Sequence, residues 1–287
     1  MISTLAVPNV VACIGVIQMV SSQQVDVNLK RTEALIEEAV LGGAKAIFLP
    51  ENFAALASIE TRTIAAREAT ESGPIRQFLS ELAARHNCWI FGGTLPVSVR
   101  PDQSLIQDGR VRAASFVYDG HGNEVARYDK IHMFDVEVED NQKSYTESHT
   151  FEPGDHQTVI DSPIGRVGLS VCYDIRFADV YRHLFLQGAD CFSIPSAFTT
   201  ITGEAHFEVL MRARAIENFS YTIAACQGGV HDSGRMTHGH SMVVGPWGDI
   251  KACCSDGESV ITCTLDLEAL YQMRKDIPVV KGFHTPF

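Results

Sequence analysis

The sequence lacks the features by which membrane-spanning and secreted chains are recognised. It contains no apolar run of the roughly 18 residues that a membrane-spanning helix needs. The apolar start of the chain has no Lys or Arg before Lys30 and is interrupted at Pro8, whereas a secretory signal peptide begins with positive charge. We therefore expect no membrane partner and no secretion signal, and we expect residues 11–20 to form a buried strand.

Positive charge is also scarce. The chain has 23 Lys and Arg against 35 Asp and Glu, which gives a formal net charge of −12. A surface of this sign repels phosphate backbones and anionic lipids, so nucleic acid is not expected as a partner. An anionic small molecule would need its own cluster of Arg or Lys side chains.

A disulfide framework is missing. No Cys-x-x-Cys spacing occurs, and several thiols lie inside apolar runs, where a free thiol packs as a small hydrophobic group. This usage indicates a reducing compartment, and we expect a cytoplasmic protein. The eight cysteines are Cys13, Cys88, Cys172, Cys191, Cys226, Cys253, Cys254 and Cys263.

Nothing along the 287 residues resembles a linker between domains, so we predict a single domain over residues 1–287. Short β-rich runs, such as residues 88–97, which we predict as one strand, alternate with helical patterns, such as residues 25–43, and this alternation predicts an α/β fold. Predicted hairpins at 114–128 and 241–263 require antiparallel pairing, so we expect mixed sheets.

Two segments share one pattern. Residues 35–52 and 180–197 each read as a helix, a Gly-Ala pair, an apolar strand and a proline. The pattern is typical of two related α/β halves, and equally of one common local unit used twice.

Three polar residues follow predicted strands directly: Glu51 after AIFLP, Lys130 after EVARYD and Cys172 after VGLSV. Ligand sites in α/β folds lie outside strand ends. A cysteine on a strand-to-helix turn can act as a nucleophile, and a helix N-terminus there would favour its thiolate. A carboxylate can transfer its proton, and a lysine can stabilise an oxyanion. Taken singly, each residue is better explained as a buried thiol or a solvated charge.

The histidines offer a different chemistry. His132, His206, His238 or His240 could pair with Cys172 in a Cys–His hydrolase. His238 and His240 share one face of a predicted strand, but no Cys or carboxylate spacing completes a zinc site, so no metal is expected. The Gly-x-Gly groups fall in hairpin turns, which argues against a dinucleotide cofactor.

Taken together, three segments carry a family resemblance. LPENF (49–53), YDKIHMFD (128–135) and VCYDIRF (171–177) resemble, in this order, the signature blocks of the nitrilase superfamily, the carbon–nitrogen hydrolases. The resemblance extends from IGVIQM to IPVV, over nearly the whole chain. It implies a four-layer α-β-β-α sandwich with two mixed sheets, no cofactor, and a homodimer or higher homo-oligomer paired across a helical layer.

The resemblance also implies roles for individual residues. Glu51 matches the general base, Lys130 the stabilising lysine and Cys172 the nucleophile, while Glu147 matches a second active-site glutamate. The backbone N–H of Tyr173 is expected to hold the oxyanion together with Lys130. The implied substrate-binding residues are Tyr173, Arg176, Ser196, Phe198 and His206.

The reaction implied by the resemblance is hydrolysis of a small amide through a cysteine thioester. The favoured substrate is deaminated glutathione, cleaved to 2-oxoglutarate and cysteinylglycine. An ω-amidase reaction on 2-oxoglutaramate is an alternative, as is hydrolysis of another aliphatic amide or nitrile. An inactive member acting as a binding or scaffold protein is a third possibility, against which the intact Glu51, Lys130 and Cys172 argue.

Both keto-glutaryl substrates carry a carboxylate that needs a cation. Arg176, Arg212 and Arg214 lie near the family blocks and are candidates, although a structural ion pair explains most of them as well. The segment GEAHF (203–207) departs from the family's usual GPAHW at Glu204 and Phe207, near the expected pocket mouth.

Overall fold

A computed structural model describes residues 11–140 and 142–279. Residues 1–10, on which the secretion-signal argument depends, lie outside the described residues, as do residues 280–287 and so the ends of the predicted domain. No helix within the described ranges is long and apolar enough to cross a membrane. The helices of these ranges are α1 (Val25–Leu41), α2 (Thr61–Arg67), α3 (Pro74–His86), α4 (Ala178–Leu186), α5 (Thr200–Thr202), α6 (Glu208–Asn218) and α7 (Leu267–Asp276).

The strands follow the predicted alternation with helices. In chain order they are β1 (Val11–Gln18), β2 (Ala46–Phe48), β3 (Trp89–Phe91), β4 (Leu95–Val97), β5 (Arg112–Tyr118), β6 (Glu124–Asp129), β7 (Asp135–Glu137), β8 (Ser144–Thr146), β9 (Val159–Ser162), β10 (Gly165–Leu169), β11 (Cys191–Ser193), β12 (Tyr221–Ala224), β13 (Gly228–Val230), β14 (Met236–His238), β15 (Met242–Val244), β16 (Ile250–Cys253) and β17 (Ser259–Asp266).

Two sheets carry the fold. The first has the order β17-β1-β2-β3-β5-β4, with β6 also paired to β5, and the second has the order β16-β15-β12-β11-β10-β9. In each sheet three central strands run parallel and the outer pairs are antiparallel. The expectation of mixed sheets is therefore confirmed. Two small hairpins, β7–β8 and β13–β14, lie outside both sheets.

The sheets form the inner layers of a sandwich because their side chains alternate between two apolar cores. Ile14 and Val16 of β1 pack in the core that the two sheets share, while Ile17 faces the other way and packs with α1 and α3. On the second sheet, α4 and α6 form the outer layer. The protein is thus the four-layer α-β-β-α sandwich that the family blocks imply.

Two local predictions need correction. Residues 88–97, predicted as one strand, form β3 and β4, which are interrupted at Gly92-Gly93. Gly93 has φ +56°, and a Cβ there would lie 2.0 Å from the Pro50 carbonyl oxygen, so only glycine fits. The close approach fixes the chain directly before Glu51.

The predicted hairpin at 241–263 is also different. β15 pairs with β16 in the second sheet, but β17 crosses to the first sheet and lies antiparallel to β1. The chain between β16 and β17 therefore passes from the second sheet to the first, and residues 241–263 do not form one hairpin. The hairpin predicted at 114–128 is confirmed by the β5–β6 pairing.

Candidate active site

Strand ends of both sheets meet at one cavity of about 410 Å³. Glu51 follows β2, Lys130 follows β6 and Cys172 follows β10, and all three side chains line the cavity. They are 4%, 2% and 7% exposed, so three groups of chemical interest are held out of bulk water together. The structure therefore brings together the three residues that the sequence singled out.

Glu51 is positioned by its backbone. Its carbonyl oxygen accepts a hydrogen bond from Gln227 Nε2 at 3.1 Å. The next residue, Asn52, has φ 55° and donates its backbone N–H to Thr94 Oγ1 at 2.8 Å. A left-handed residue directly after Glu51 turns the chain away, so the carboxylate stays at the strand end.

Lys130 is held between two carboxylates. Its Nζ donates to Glu51 Oε1 at 2.8 Å and to Glu147 Oε1 and Oε2 at 2.9 and 2.8 Å. Burial on its own lowers the pKa of Lys130, but the Glu147 and Glu51 carboxylates outweigh it and raise that pKa well above the usual range. The lysine is therefore a fixed ammonium.

Glu147 begins a short 3₁₀ turn over Glu147–His149. Its Oε2 also accepts the backbone N–H of Phe134 at 2.7 Å. Burial raises the pKa of Glu147, and the nearby Lys130 ammonium offsets only part of that rise. Glu147 is thus a largely buried carboxylate, with 16% of its side chain exposed, and its main partner is the lysine.

Cys172 starts a 3₁₀ turn, Cys172–Arg176, three residues after the last residue of β10. Its φ of 45° is unusual for a residue with a side chain, and strain of this kind clusters at functional sites. Two hydrogen bonds hold the turn: Cys172 N–H donates to the Pro195 carbonyl at 2.9 Å, and Val171 N–H donates to Asp174 Oδ2 at 2.9 Å.

The thiol is not the stabilised thiolate that a helix N-terminus was expected to give. Burial raises the pKa of Cys172 well above its usual range, and the Glu51 carboxylate beside it adds to the rise. Lys130 and the backbone N–H of Ala197 act in the opposite direction with smaller effect. The neutral thiol therefore needs a base before it can attack, and Glu51 is adjacent.

Several predicted substrate-binding residues do not line the cavity. Ser196 is fully buried and donates its hydroxyl to the Ile194 carbonyl at 3.0 Å. Arg176 points towards His206, with its Nη2 3.2 Å from His206 Nδ1. Tyr173 and Phe198 do line the cavity. The substrate contacts predicted for Ser196, Arg176 and His206 therefore gain no support from the cavity lining and stay predictions.

The other predicted cations are also engaged elsewhere. Arg212 donates to the Gly248 carbonyl and pairs with Glu208, whereas Arg214 donates to the Ile175 carbonyl and pairs with Glu217. Their neighbour in the chain, Glu204, is exposed and outside the cavity lining.

A cation that the sequence did not single out lines the cavity instead. Arg235 lies directly before β14, after an Asp-Ser-Gly turn, and belongs to none of the family blocks. Its Nη2 donates to the Ala197 carbonyl at 3.0 Å. Arg235 lies outside the three signature blocks but within the segment 224–248, over which the family resemblance also extends, and the sequence gives no sign of its own that this arginine faces a cavity.

The histidines do not complete another catalytic set. Among the described residues, no histidine lines the cavity, and no cluster of His, Cys, Asp or Glu could hold a metal ion. His132 is bonded to Asp174, and His238 and His240 stack on each other with ring centroids 4.3 Å apart. The carboxylate beside Cys172 is therefore the base that the geometry offers.

Comparisons with known proteins give one consistent picture. A family model described as carbon-nitrogen hydrolase matches residues 13–275. A protein named deaminated glutathione amidase from Yersinia enterocolitica is 39% identical, with 94% of this chain and 92% of the relative covered. One of the same name from Mus musculus is 36% identical, with 93% and 81% covered.

Solved structures share the fold. The C. elegans NitFhit protein has a TM-score of 0.84 and 34% identity, with 97% of this chain but only 66% of that longer chain covered. Saccharomyces cerevisiae Nit3, a member of branch 10 of the nitrilase superfamily, has a TM-score of 0.83 and 29% identity, with 96% and 97% covered.

Proposed function

The chain belongs to the carbon–nitrogen hydrolase family and is an amidase, and we propose that it hydrolyses deaminated glutathione to 2-oxoglutarate and cysteinylglycine. The observation that carries the chemistry is the buried Glu51–Lys130–Glu147 cluster beside Cys172 in one cavity. The substrate assignment is supported by relatives named deaminated glutathione amidase, which align over nearly the whole chain.

In the first step Glu51 acts as general base. It takes the thiol proton as Cys172 Sγ attacks the carbonyl carbon of the amide, and a C–S bond forms. The neutral, buried thiol makes this proton transfer necessary. Negative charge develops on the carbonyl oxygen.

Lys130 and the backbone N–H of Tyr173 stabilise that oxyanion. The neighbouring amides are already bonded, since Cys172 N–H donates to Pro195 and Asp174 N–H to the Val171 carbonyl. Removing one preorganised donor of this kind typically costs about 100- to 1,000-fold in rate. Glu147 keeps the ammonium in place without contacting the reacting atoms.

Collapse of the tetrahedral intermediate breaks the C–N bond. Glu51, now protonated, gives its proton to the departing amine of cysteinylglycine, and a thioester remains on Cys172. Water then attacks the thioester with Glu51 as base, 2-oxoglutarate leaves, and the thiol recovers its proton. No metal or cofactor takes part in these steps.

The alternative substrate is 2-oxoglutaramate, which would give the same acyl group and release ammonia. A side-by-side measurement of kcat/KM for the two amides tests the assignment. We expect the higher value for deaminated glutathione. A clear preference for 2-oxoglutaramate would replace the proposed substrate and leave the mechanism standing.

We further propose a homodimer that pairs across the α4–α6 layer. Large apolar side chains are exposed on and beside this layer, which supports an interface there. They are Leu186, Val209, Ile216 and Trp247. Light scattering should give a dimer mass for the protein and a monomer mass for Val209→Lys.

A cytoplasmic location is part of the same proposal. All eight cysteines are free thiols, which supports a reducing compartment. Fractionation of cells that produce the protein should recover it with cytoplasmic markers.

A further inference from the structure

We propose that Arg235 binds a carboxylate of the substrate and thereby sets the preference of this amidase for anionic amides. The inference rests on the proposed function. Deaminated glutathione carries two carboxylates, one at the keto-acid end of the acyl group and one at the glycine end of the leaving dipeptide. Either could meet the same guanidinium.

The backbone around Arg235 is fixed. The β13–β14 hairpin is held to the protein by buried His231, whose Nδ1 is 2.8 Å from the Ser21 carbonyl oxygen and whose Nε2 is 2.7 Å from Thr237 Oγ1. His238 N–H donates to the Phe198 carbonyl at 2.9 Å. The hairpin therefore lies against the segment that follows β11, and Arg235 is held facing the cavity.

The guanidinium is oriented but incompletely paired. Nη2 donates to the Ala197 carbonyl at 3.0 Å, and the group lies 5.5 Å from the centre of the Tyr145 ring. Nε is buried and has no hydrogen-bond partner among the described residues. Arg235 also has no ion pair with any carboxylate of the described ranges. A buried donor without an acceptor is costly, and a bound carboxylate would supply the missing acceptor.

The charged side chains that line the cavity also indicate Arg235 as the partner of an anionic substrate. Among the described residues, the charged side chains of its lining are Glu51, Glu147, Lys130 and Arg235. Lys130 pairs with both glutamates, and its remaining N–H is the donor that the proposed mechanism assigns to the oxyanion. An anionic substrate would therefore meet two carboxylates and one uncommitted cation, and that cation is Arg235.

Arg235 is also close to the reacting centre. Ala197 accepts from Arg235 through its carbonyl, while its backbone N–H lies against the Cys172 sulfur. Ala197 thus contacts both Arg235 and Cys172. The guanidinium is therefore near enough to bind a substrate carboxylate that lies a few bonds from the carbonyl attacked by Cys172.

The guanidinium borders a second space as well. A cavity of about 210 Å³ adjoins the first and shares Gln142, Tyr145 and Arg235 with it. Glu139 and Asp140 also line that space, so a leaving dipeptide that extends into it would have Arg235 as the cation that offsets these carboxylates. Arg235 can thus bind either the keto-acid carboxylate or the glycine carboxylate of the substrate, and kinetic measurements distinguish the two.

The test is kcat/KM of Arg235→Gln, Arg235→Lys and wild type for deaminated glutathione and for 2-oxoglutaramate. Loss of a charge-assisted pair should lower kcat/KM by about 10- to 100-fold, mainly through KM, and lysine should restore part of it. A fall for both amides assigns the keto-acid carboxylate. A fall for deaminated glutathione alone assigns the glycine carboxylate.

Two controls separate substrate binding from other effects. Arg62→Gln removes the same charge from an exposed position on α2 and should leave both values unchanged. Alkylation of Cys172 by uncharged iodoacetamide, mapped by mass spectrometry, should proceed at the wild-type rate in Arg235→Gln if the site is intact.

Unchanged kcat/KM for both amides in Arg235→Gln, or an equal fall in Cys172 alkylation, would overturn the inference. Failure of the proposed function gives a different result, because wild type itself would then turn over neither amide.

Discussion

The two halves of the sandwich use the same local architecture for different purposes. β1–β2 and β10–β11 are corresponding parallel pairs, each linked by a helix that leads into a Pro-ended strand. Three residues after the last paired position stand Glu51 in the first half and Ser196 in the second. Glu51 faces Lys130 in the cavity, whereas Ser196 closes a hydrogen bond on Ile194.

At the ends of β1 and β10 the second half, not the first, contributes the side chain that lines the cavity. Met19 and Cys172 each stand three residues after the last position at which β1 pairs with β2 and β10 pairs with β11. Met19 is fully buried in the core beneath α1 and α3, while Cys172 lines the cavity. The fold thus provides equivalent strand ends in its two halves. The side chain at each strand end determines whether that position packs in the core or contributes to the candidate active site.

The largest expected effect separates Cys172 from Met19. Cys172→Ala should reduce amide hydrolysis to background, because Cys172 is the one thiol among the described residues that line the cavity. Met19→Leu conserves volume and should cost less than about 1.5 kcal/mol in the free energy of unfolding, with activity retained. Steady-state rates and urea unfolding of both variants check the pair; residual turnover in Cys172→Ala would assign the nucleophile elsewhere.

The next comparison is between Glu51 and Ser196. Glu51→Gln should lower kcat by about 100- to 10,000-fold, because a general base is lost. Ser196→Ala, at the equivalent position, should change kcat by less than about threefold, since its hydroxyl contacts only backbone. Full activity in Glu51→Gln would exclude the carboxylate as base and return attention to the histidines.

The third prediction concerns the charge that Lys130 supplies to the Glu51 and Glu147 carboxylates. Lys130→Met leaves Glu51 and Glu147 buried without their cation and should cost about 3–5 kcal/mol in the free energy of unfolding, besides lost activity. Lys45→Met, at an exposed position before β2, is the matched control and should change stability little. Equal stability of the two variants would show that the carboxylates are not held by Lys130.

The smallest effect concerns pH. Burial raises the pKa of Glu147 above its ordinary value of 4.5. As pH falls through that raised pKa, Glu147 becomes neutral, Lys130 loses a charged partner, and kcat/KM should decrease. Protonation of Glu147 should therefore contribute to the acid limb of the pH profile above 4.5, and Glu147→Gln should change the position of this limb in an already lowered profile.

The sequence singles out Glu51, Lys130 and Cys172 because each follows a predicted strand, and the structure brings them to one cavity because strand ends of stacked sheets meet. Their catalytic roles stay predictions that the family resemblance supplies. Glu147 was identified only through the family resemblance, since it lies in a loop with no periodic pattern. Arg176 is close to Cys172 in the chain, but the 3₁₀ turn directs its side chain towards His206, so its substrate contact stays a prediction.

Arg235 could not be predicted for the opposite reason. It lies far from every family block in the chain and reaches Ala197 only because the β13–β14 hairpin packs across the end of β11. Likewise, the transfer of β17 to the first sheet depends on pairing with β1, which no local pattern between 241 and 263 reveals. Both features depend on contacts between residues far apart in the chain, which local sequence patterns do not predict.

The most direct test of the account is to map the acyl group on the enzyme. Protein mixed with deaminated glutathione is quenched in acid during turnover, digested and analysed by mass spectrometry. The account predicts a 2-oxoglutaryl thioester on the peptide that contains Cys172, and none on that peptide in Cys172→Ala. Turnover with the adduct on another cysteine, such as Cys226, or turnover by Cys172→Ala, would contradict it.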